Sequence, residues 1–222
     1  MIEIIPILSD SNCYLLKKNS GFILFDTGFK AKRKLIENSL ENAGVNQNNL
    51  NLIILSHGDI DHADNALYFK EKYKSNIAMN KNDEGMVING DMSYNRKNKP
   101  DKIKLFFKLI IVLSKISGKK EQFDFFTPDI FLESGYSLKE YGFDATIIET
   151  PGHSAGSISI ITDDGLLLCG DLLYNITGKP ECLMIDNYLQ YNESIHKLQK
   201  MSILKVYPGH GKPFGFNREI IK

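Results

Sequence analysis

Disulfide bonds are the first thing this sequence has little means to make. Its 222 residues include three cysteines, Cys13, Cys169 and Cys182, odd in number and far apart, so no cross-linked framework is implied. Cys169 ends the apolar run Leu166-Leu-Leu-Cys169 and reads as a buried core thiol. An excess of charge of either sign is also missing. Lys plus Arg and Asp plus Glu number 27 each, which removes any global pull toward nucleic acid or an anionic membrane. Residues 1–8, MIEIIPIL, read as a strand and lack the basic start and small-residue cleavage site of a signal peptide. The cytoplasm, a reducing compartment, is the expected location. No apolar run reaches the roughly 20 residues that span a bilayer. The nearest, residues 102–117 with the sequence KIKLFFKLIIVLSKIS, is too short and too rich in lysine.

What is present is an ordinary soluble composition, 42% hydrophobic and 24% charged, which excludes a disordered or collagen-like chain. The length suits one large α/β domain or two small ones. Without a short-period repeat or a low-complexity linker, a single domain over 1–222 is the expectation. Period-two patterning and turn residues predict strands at 2–8, 13–17, 22–26, 52–55, 77–79, 130–132, 136–138, 145–149, 157–162, 166–169 and 203–207. Helical periodicity covers 31–43, with Leu35, Ile36, Leu40 and Ala43 on one face and Gly44 as the stop, and recurs at 63–73 and 193–201. Residues 81–126 fit this alternation least and read as a helical insertion.

The chemistry concentrates in five histidines. His57, His62, His153 and His210 sit where a predicted strand hands over to a turn, in His57-Gly-Asp-Ile-Asp-His62, Pro151-Gly-His153 and Pro208-Gly-His210. Asp171 ends another strand in Cys169-Gly-Asp171. Strand ends at one edge of a sheet converge, and a cluster of imidazoles and carboxylates there is what a divalent metal needs. His196, mid-helix beside Lys197 and Lys200, reads as an ordinary helix residue. Taken singly, each histidine has a structural explanation, and Asp59 and Asp61 alone could be turn or capping carboxylates. Packing does not ask for all of them in this order.

The ordered set His57-x-Asp59-x-Asp61-His62, Pro151-Gly-His153, Gly170-Asp171 and Pro208-Gly-His210, with the early turn Phe25-Asp-Thr-Gly28, resembles the signature of the metallo-β-lactamase superfamily. The resemblance implies an α/β fold, a four-layer αβ/βα sandwich of two mixed β-sheets flanked by helices, with metals at one edge. It implies a first metal on His57, Asp59 and His153, a second on Asp61, His62 and His210, Asp171 bridging both, and Asp26 orienting the ligands from behind. The sequence departs from the family in one place: Asp59 stands where the usual motif has a histidine. The flavodiiron branch carries a carboxylate there and binds iron. Two divalent ions are expected, zinc first, and the third carboxylate hardens the site and so admits iron or manganese as alternatives. The implied chemistry is hydrolysis by a metal-bridging hydroxide. Asp61 is placed to shuttle a proton, and Tyr174, three residues after Asp171, is similar in spacing to a carbonyl-supporting tyrosine of acyl-homoserine lactonases.

The expected substrate is a small, partly hydrophobic ester, lactone or thioester, with phosphodiester cleavage or iron redox chemistry as alternatives. A degenerate, non-catalytic binding module is a further class, disfavoured because the other ligand positions are filled. About a dozen residues follow His210, which argues against glyoxalase II, whose helical glutathione-binding domain stands there. Nucleic acid is not an expected partner. In the insertion, Lys104, Lys108 and Lys115 form one stripe of a helical wheel and large apolar residues fill the rest. A face that wide must be buried. Residues 102–117 are therefore expected to form a helix that is plain core, a lid over the site, a homodimer contact, or, least expected, a membrane contact.

Overall fold

The computed structural model describes residues 1–94, 96, 100–105, 108 and 124–218. Strands β1 (Glu3–Ile7), β2 (Cys13–Lys18), β3 (Gly21–Phe25), β4 (Leu50–Ile54), β5 (Ile77–Met79) and, after a two-residue strand β6 (Lys102–Ile103), β7 (Ile130–Phe131) include the six of the first sheet. Its order is β1-β2-β3-β4-β5-β7, antiparallel up to β3 and parallel beyond it. The switch follows from the connections. A short loop joins β1 to β2 and a two-residue turn joins β2 to β3, whereas helix α1 (Arg33–Asn42) and helices α2 (Ile60–Ala63) and α3 (Ala66–Tyr73) cross back over the sheet before β4 and β5.

The second sheet is also mixed. It contains β8 (Ala145–Glu149), β9 (Ile158–Thr162), β10 (Leu166–Leu168), then, after β11 (Tyr174–Asn175) and β12 (Met184–Ile185), β13 (Lys205–Tyr207) and, after β14 (His210–Gly211), β15 (Phe214–Gly215). Its order is β15-β13-β10-β9-β8. Helices α4 (Glu84–Asn89) and α5 (Tyr188–Gln199) also lie among the described residues.

Strand alternation sorts the apolar side chains into three layers of core. In β2 and β3, Cys13, Leu15, Phe22 and Leu24 pack with Ile36 and Leu40 of α1 and Phe69 of α3. Their neighbours Tyr14, Leu16, Ile23 and Phe25 point the other way, onto Ala145, Ile147, Ile158, Ile160 and Leu168 of the second sheet. On the far face of that sheet, Ile148, Leu167 and Val206 meet Tyr191, Ile195 and Leu198 of α5. Three cores between four layers make the αβ/βα sandwich, and a period of two in the strands is what allows one strand to serve two cores.

Several boundaries differ from the sequence-based expectation. Leu35, placed on the buried face of α1, is 46% exposed. At 3.6 residues per turn Leu35 lies about 100° round the helix from Ile36, at the edge of the face that Ile36 and Leu40 bury. Residues 136–138 are not a strand: Ser137 makes one isolated bridge to Thr146, and Leu138–Tyr141 is a 3₁₀ turn that buries Leu138. Within the segment expected to be a helical insertion, residues 81–89 form a 3₁₀ turn and α4, packed through the buried Met86 and Val87. Lys102 and Ile103 begin no helix; they pair antiparallel with Ile185 and Met184. Most of the expected 102–117 helix lies outside the described residues. Among the described residues no helix is long and apolar enough to cross a membrane. Cys13, Cys169 and Cys182 are free and buried.

The layering makes a differential prediction. Phe143→Ala, in the core between the sheets and 1% exposed, is expected to cost about 3–5 kcal/mol in urea unfolding. Leu35→Ser should stay within about 0.5 kcal/mol. Similar losses for the two variants would mean that α1 is rotated from the orientation described.

Candidate metal centre

Five strands point their C-terminal ends at one place. Asp26 follows β3, His57 follows β4, His153 follows β8, Asp171 follows β10, and His210 opens β14 just after β13. Asp59 stands immediately before α2, and Asp61 and His62 lie in its single turn. Among the described residues, two groups of donors have their ligand atoms within 4.8 Å of one another: His57, His153 and Asp171, and Asp61, His62 and His210. Asp171 lies between the two groups. Its Oδ1 is 3.2 Å from His62 Nε2 and 3.4 Å from His210 Nε2, and its Oδ2 is 3.8 Å from His153 Nε2. Asp59 is beside the first group, with Oδ2 3.4 Å from His57 Nε2 and 3.0 Å from His153 Nε2.

The imidazoles are all tied from the same side. His62 Nδ1 donates to Asp26 Oδ2 at 2.9 Å, His153 Nδ1 to the Met184 carbonyl at 2.9 Å, and His210 Nδ1 to the Asp10 carbonyl at 2.5 Å. His57 Nδ1 donates to Ser56 Oγ at 2.8 Å, because that hydroxyl gives its own proton to Asp26. With Nδ1 tied behind each ring, Nε2 is the nitrogen turned to the centre, and it has a lone pair to give a metal once the ring is neutral. The lone pairs face carboxylates. His57 Nε2, His62 Nε2 and Asp171 Oδ1 are buried without a hydrogen-bond partner. Lone pairs and anions aimed at one another in a buried pocket need a cation between them, and the donor set of imidazole and carboxylate fits divalent metal.

Protons are the cations available when metal is absent, and the titration reflects it. Burial opposes charge on His62, yet Asp171, Asp61 and Asp26 outweigh it and hold the imidazole well above its usual range. His153 is raised against burial by Asp59 and Asp171 among its partners. His210 is pushed up to about 10, again against burial, by Asp171 and Asp61. Burial works in the opposite sense on the acids, but Arg96 and His57 hold Asp59 well below the carboxylate range, and the facing imidazoles do the same for Asp171.

Around the donors lies a tight frame. Tyr174 donates its hydroxyl to Asp171 Oδ2, and its ring stacks on His210 at 4.7 Å and 6°. That hydroxyl is therefore directed at the central carboxylate, and Tyr174 is 2% exposed, which makes it a holder of Asp171 in this arrangement. Gly209 has no room for a side chain: a Cβ there would lie 2.1 Å from Asp171 Oδ1. Asn12 and Tyr14 bind the Pro208 carbonyl and fix the loop that carries His210. His196 is exposed on α5, away from these contacts.

Two residues of the centre escaped the sequence reading. Asp83, just before α4, accepts from Gly58 N at 3.2 Å and Ser154 Oγ at 2.6 Å with Oδ2, and from Gly156 N at 2.7 Å with Oδ1. It clamps the loop of His57 to the loop of His153, and no motif marks it. Arg96 Nη2 lies 2.7 Å from Asp59 Oδ1. Its one signal is rarity, since Arg33, Arg96 and Arg218 are the arginines of a lysine-rich chain.

Comparison with known proteins agrees with this geometry. Residues 7–210 match the family model of the metallo-beta-lactamase superfamily. The chain belongs to that superfamily. It is 30% identical over 213 residues to a "Probable metallo-hydrolase" of Methanocaldococcus jannaschii, covering 91% of this chain and 88% of the relative. It is 30% identical over 179 residues to the hydroxyacylglutathione hydrolase GloC of Haemophilus influenzae, covering 78% and 72%. The B3 metallo-beta-lactamase BLEG-1 superposes with a TM-score of 0.73 at 20% identity, over 99% of this chain and 96% of that one. A metallo-beta-lactamase family protein from Thermus thermophilus gives 0.70 at 20% identity, over 98% and 76%. Family and fold together make this chain a metal-dependent hydrolase.

Two outcomes follow from the frame and its protons. Asp83→Ala should weaken metal binding about 10–100-fold in a chelator competition, since ligand orientation is lost while every donor remains; unchanged affinity would show that the loops need no clamp. The second concerns pH. Imidazoles whose folded-state values are raised contribute stability that is complete below their unfolded value near 6.5 and is lost as pH rises through the folded value, about 10 for His210. The metal-free protein should therefore melt progressively lower as pH is raised from 7 to 10, and the metal-loaded protein should lack this slope.

Proposed function

We propose that the chain is a dinuclear hydrolase acting on a thioester or ester of a small acyl substrate in the cytoplasm, where its three free thiols stay reduced. The observation that carries the dinuclear reading is the set of inward Nε2 lone pairs around one shared carboxylate. His57, Asp59 and His153 would hold one ion, Asp61, His62 and His210 the other, with Asp171 between them. Two divalent ions so held would make water a nucleophile near neutral pH and polarise the substrate carbonyl.

The protein's own residues do the rest. Asp26 and Ser56 lock the rings of His57 and His62, so little rearrangement accompanies metal uptake. Asp61, at 18% side-chain exposure against 4% for Asp171, is the most open carboxylate of the set and the one placed to pass a proton to a leaving group. Thioester chemistry is favoured by the hydroxyacylglutathione hydrolase relative, matched over 72% of its own length. Zinc remains the first expectation, with iron or manganese admitted by the carboxylate at position 59.

The test begins with metal quantification on protein purified without added metal, where about two equivalents are expected. A panel of hydroxyacyl thioesters, simple esters, lactones and phosphodiesters then follows, with thioester the expected best substrate. Asp171→Ala should lower that activity by orders of magnitude and leave a folded protein. Full activity in Asp171→Ala, or a two-metal protein inert on every acyl substrate, would overturn the proposal. Preference for the phosphodiester would select the phosphodiesterase alternative, and iron content with no hydrolysis the redox one.

A further inference from the structure

Asp59 puts a third carboxylate into a buried pocket, and the structure places one permanent cation against it. Arg96 Nη2 is 2.7 Å from Asp59 Oδ1, and the two side chains are 11% and 5% exposed. The other oxygen, Oδ2, faces His57 and His153. The arginine thus holds one oxygen outward and leaves the other to the pocket. Asp83 and Asp186 are the other carboxylates whose charge reaches Arg96, but Asp83 is already bonded to Gly58, Ser154 and Gly156. Asp59 is the acid in direct contact.

Formal charge gives the contact a purpose. Asp59, Asp61 and Asp171 bring three negative charges to the donor set. Arg96 cancels one of them and returns the set to the charge it would have with a neutral imidazole at position 59. Because a guanidinium does not lose its proton in a protein, the cancellation holds at every pH of interest. We propose that Arg96 is a positioning residue that balances Asp59, so that the Asp59–Arg96 couple serves the first metal pocket as a formally neutral donor in place of a histidine. The inference rests on the metal-centre reading above. Its consequence is that positions 59 and 96 must change together. A histidine at 59 by itself would leave a buried guanidinium unpaired and aimed at a metal ion.

The experiment is a four-protein cycle: parent, Arg96→Gln, Asp59→His and the double variant, stripped with a chelator and titrated with cobalt(II), whose absorption reports each site as it fills. One unit charge a few ångströms away changes divalent-ion affinity by about tenfold or more. Arg96→Gln should therefore bind the first-pocket ion about tenfold more tightly, and Asp59→His about tenfold more weakly. The double variant should return to within about threefold of the parent, the set's net charge being restored. A role limited to tethering residues 91–101 would give no such rescue. Asp59→His binding both ions as the parent does, the double variant binding no better than Asp59→His, or Arg96→Gln losing the first ion would each overturn the proposal.

Metal-free melting temperatures of the same proteins separate the pairing from the metal reading. A true pair loses less stability in the double variant than the two single losses combined, and additive losses would refute it. A parent that takes up no cobalt would sink the metal-centre reading, and the melting cycle would still decide the pair. Should Asp59→His fail to fold, Asp59→Asn with and without Arg96→Gln carries the same comparison.

Discussion

Imidazole nitrogens and carboxylates aimed at one another in a buried pocket are the constraint around which this protein is arranged. Each of His57, His62, His153 and His210 gives its Nδ1 proton to a partner behind it, which leaves Nε2 to face Asp59, Asp61 and Asp171. Such a cluster disperses unless the scaffold holds it or a cation fills it. The scaffold holds it from several sides. Asp26, in a left-handed conformation at φ 62 just past β3, takes hydrogen bonds from Ser56 and His62. Asp83 ties the His57 and His153 loops, and Asn12 with Tyr14 ties the loop of His210. Each anchor joins segments far apart in sequence.

The layers exist to supply that rigidity. Strands that carry Leu and Ile on both faces are buried on both faces, and their ends cannot drift without opening two cores at once. Asp26 and His57 follow strands of the first sheet, and His153, Asp171 and His210 follow strands of the second. The centre therefore spans the interface between the sheets, over the core that contains Phe25, Ile54, Leu168 and Tyr207. Backbone must approach closely there, and the glycines mark it: a Cβ on Gly170 would lie 2.5 Å from Ser56 Oγ, and one on Gly156 2.6 Å from the Asp83 carboxyl carbon. A short strand pair, Lys102–Ile103 with Met184–Ile185, attaches the start of the long polar-to-apolar segment beside the carbonyl that holds His153.

The donors could be read from the chain because ligand chemistry is local. Histidine and aspartate beside glycine at the ends of apolar runs are a pattern that order along the sequence preserves, and the family resemblance added their grouping. The frame could not be read that way. Asp83 looks like any aspartate in a polar stretch, and Arg96 like any basic residue before a lysine-rich run. Leu35 looks like a core leucine, but it sits at the edge of the apolar stripe, and only packing decides how wide a stripe is buried. The spacing of Tyr174 from Asp171 is visible in the chain, but that its hydroxyl donates to Asp171 is a matter of side-chain placement.

By itself, then, the sequence determined the alternation that makes two sheets with helices outside, and the identity of the groups that converge at their edge. Both are properties of near neighbours, a period of two in strands and a short motif at a strand end. Tertiary structure alone decided which nitrogen of each imidazole faces inward, that Asp171 lies between the two groups, and that the unusual carboxylate at position 59 meets a guanidinium 37 positions further along the chain. Those outcomes depend on distances between segments that only packing brings together, and on charges whose balance is settled in the pocket and not along the chain.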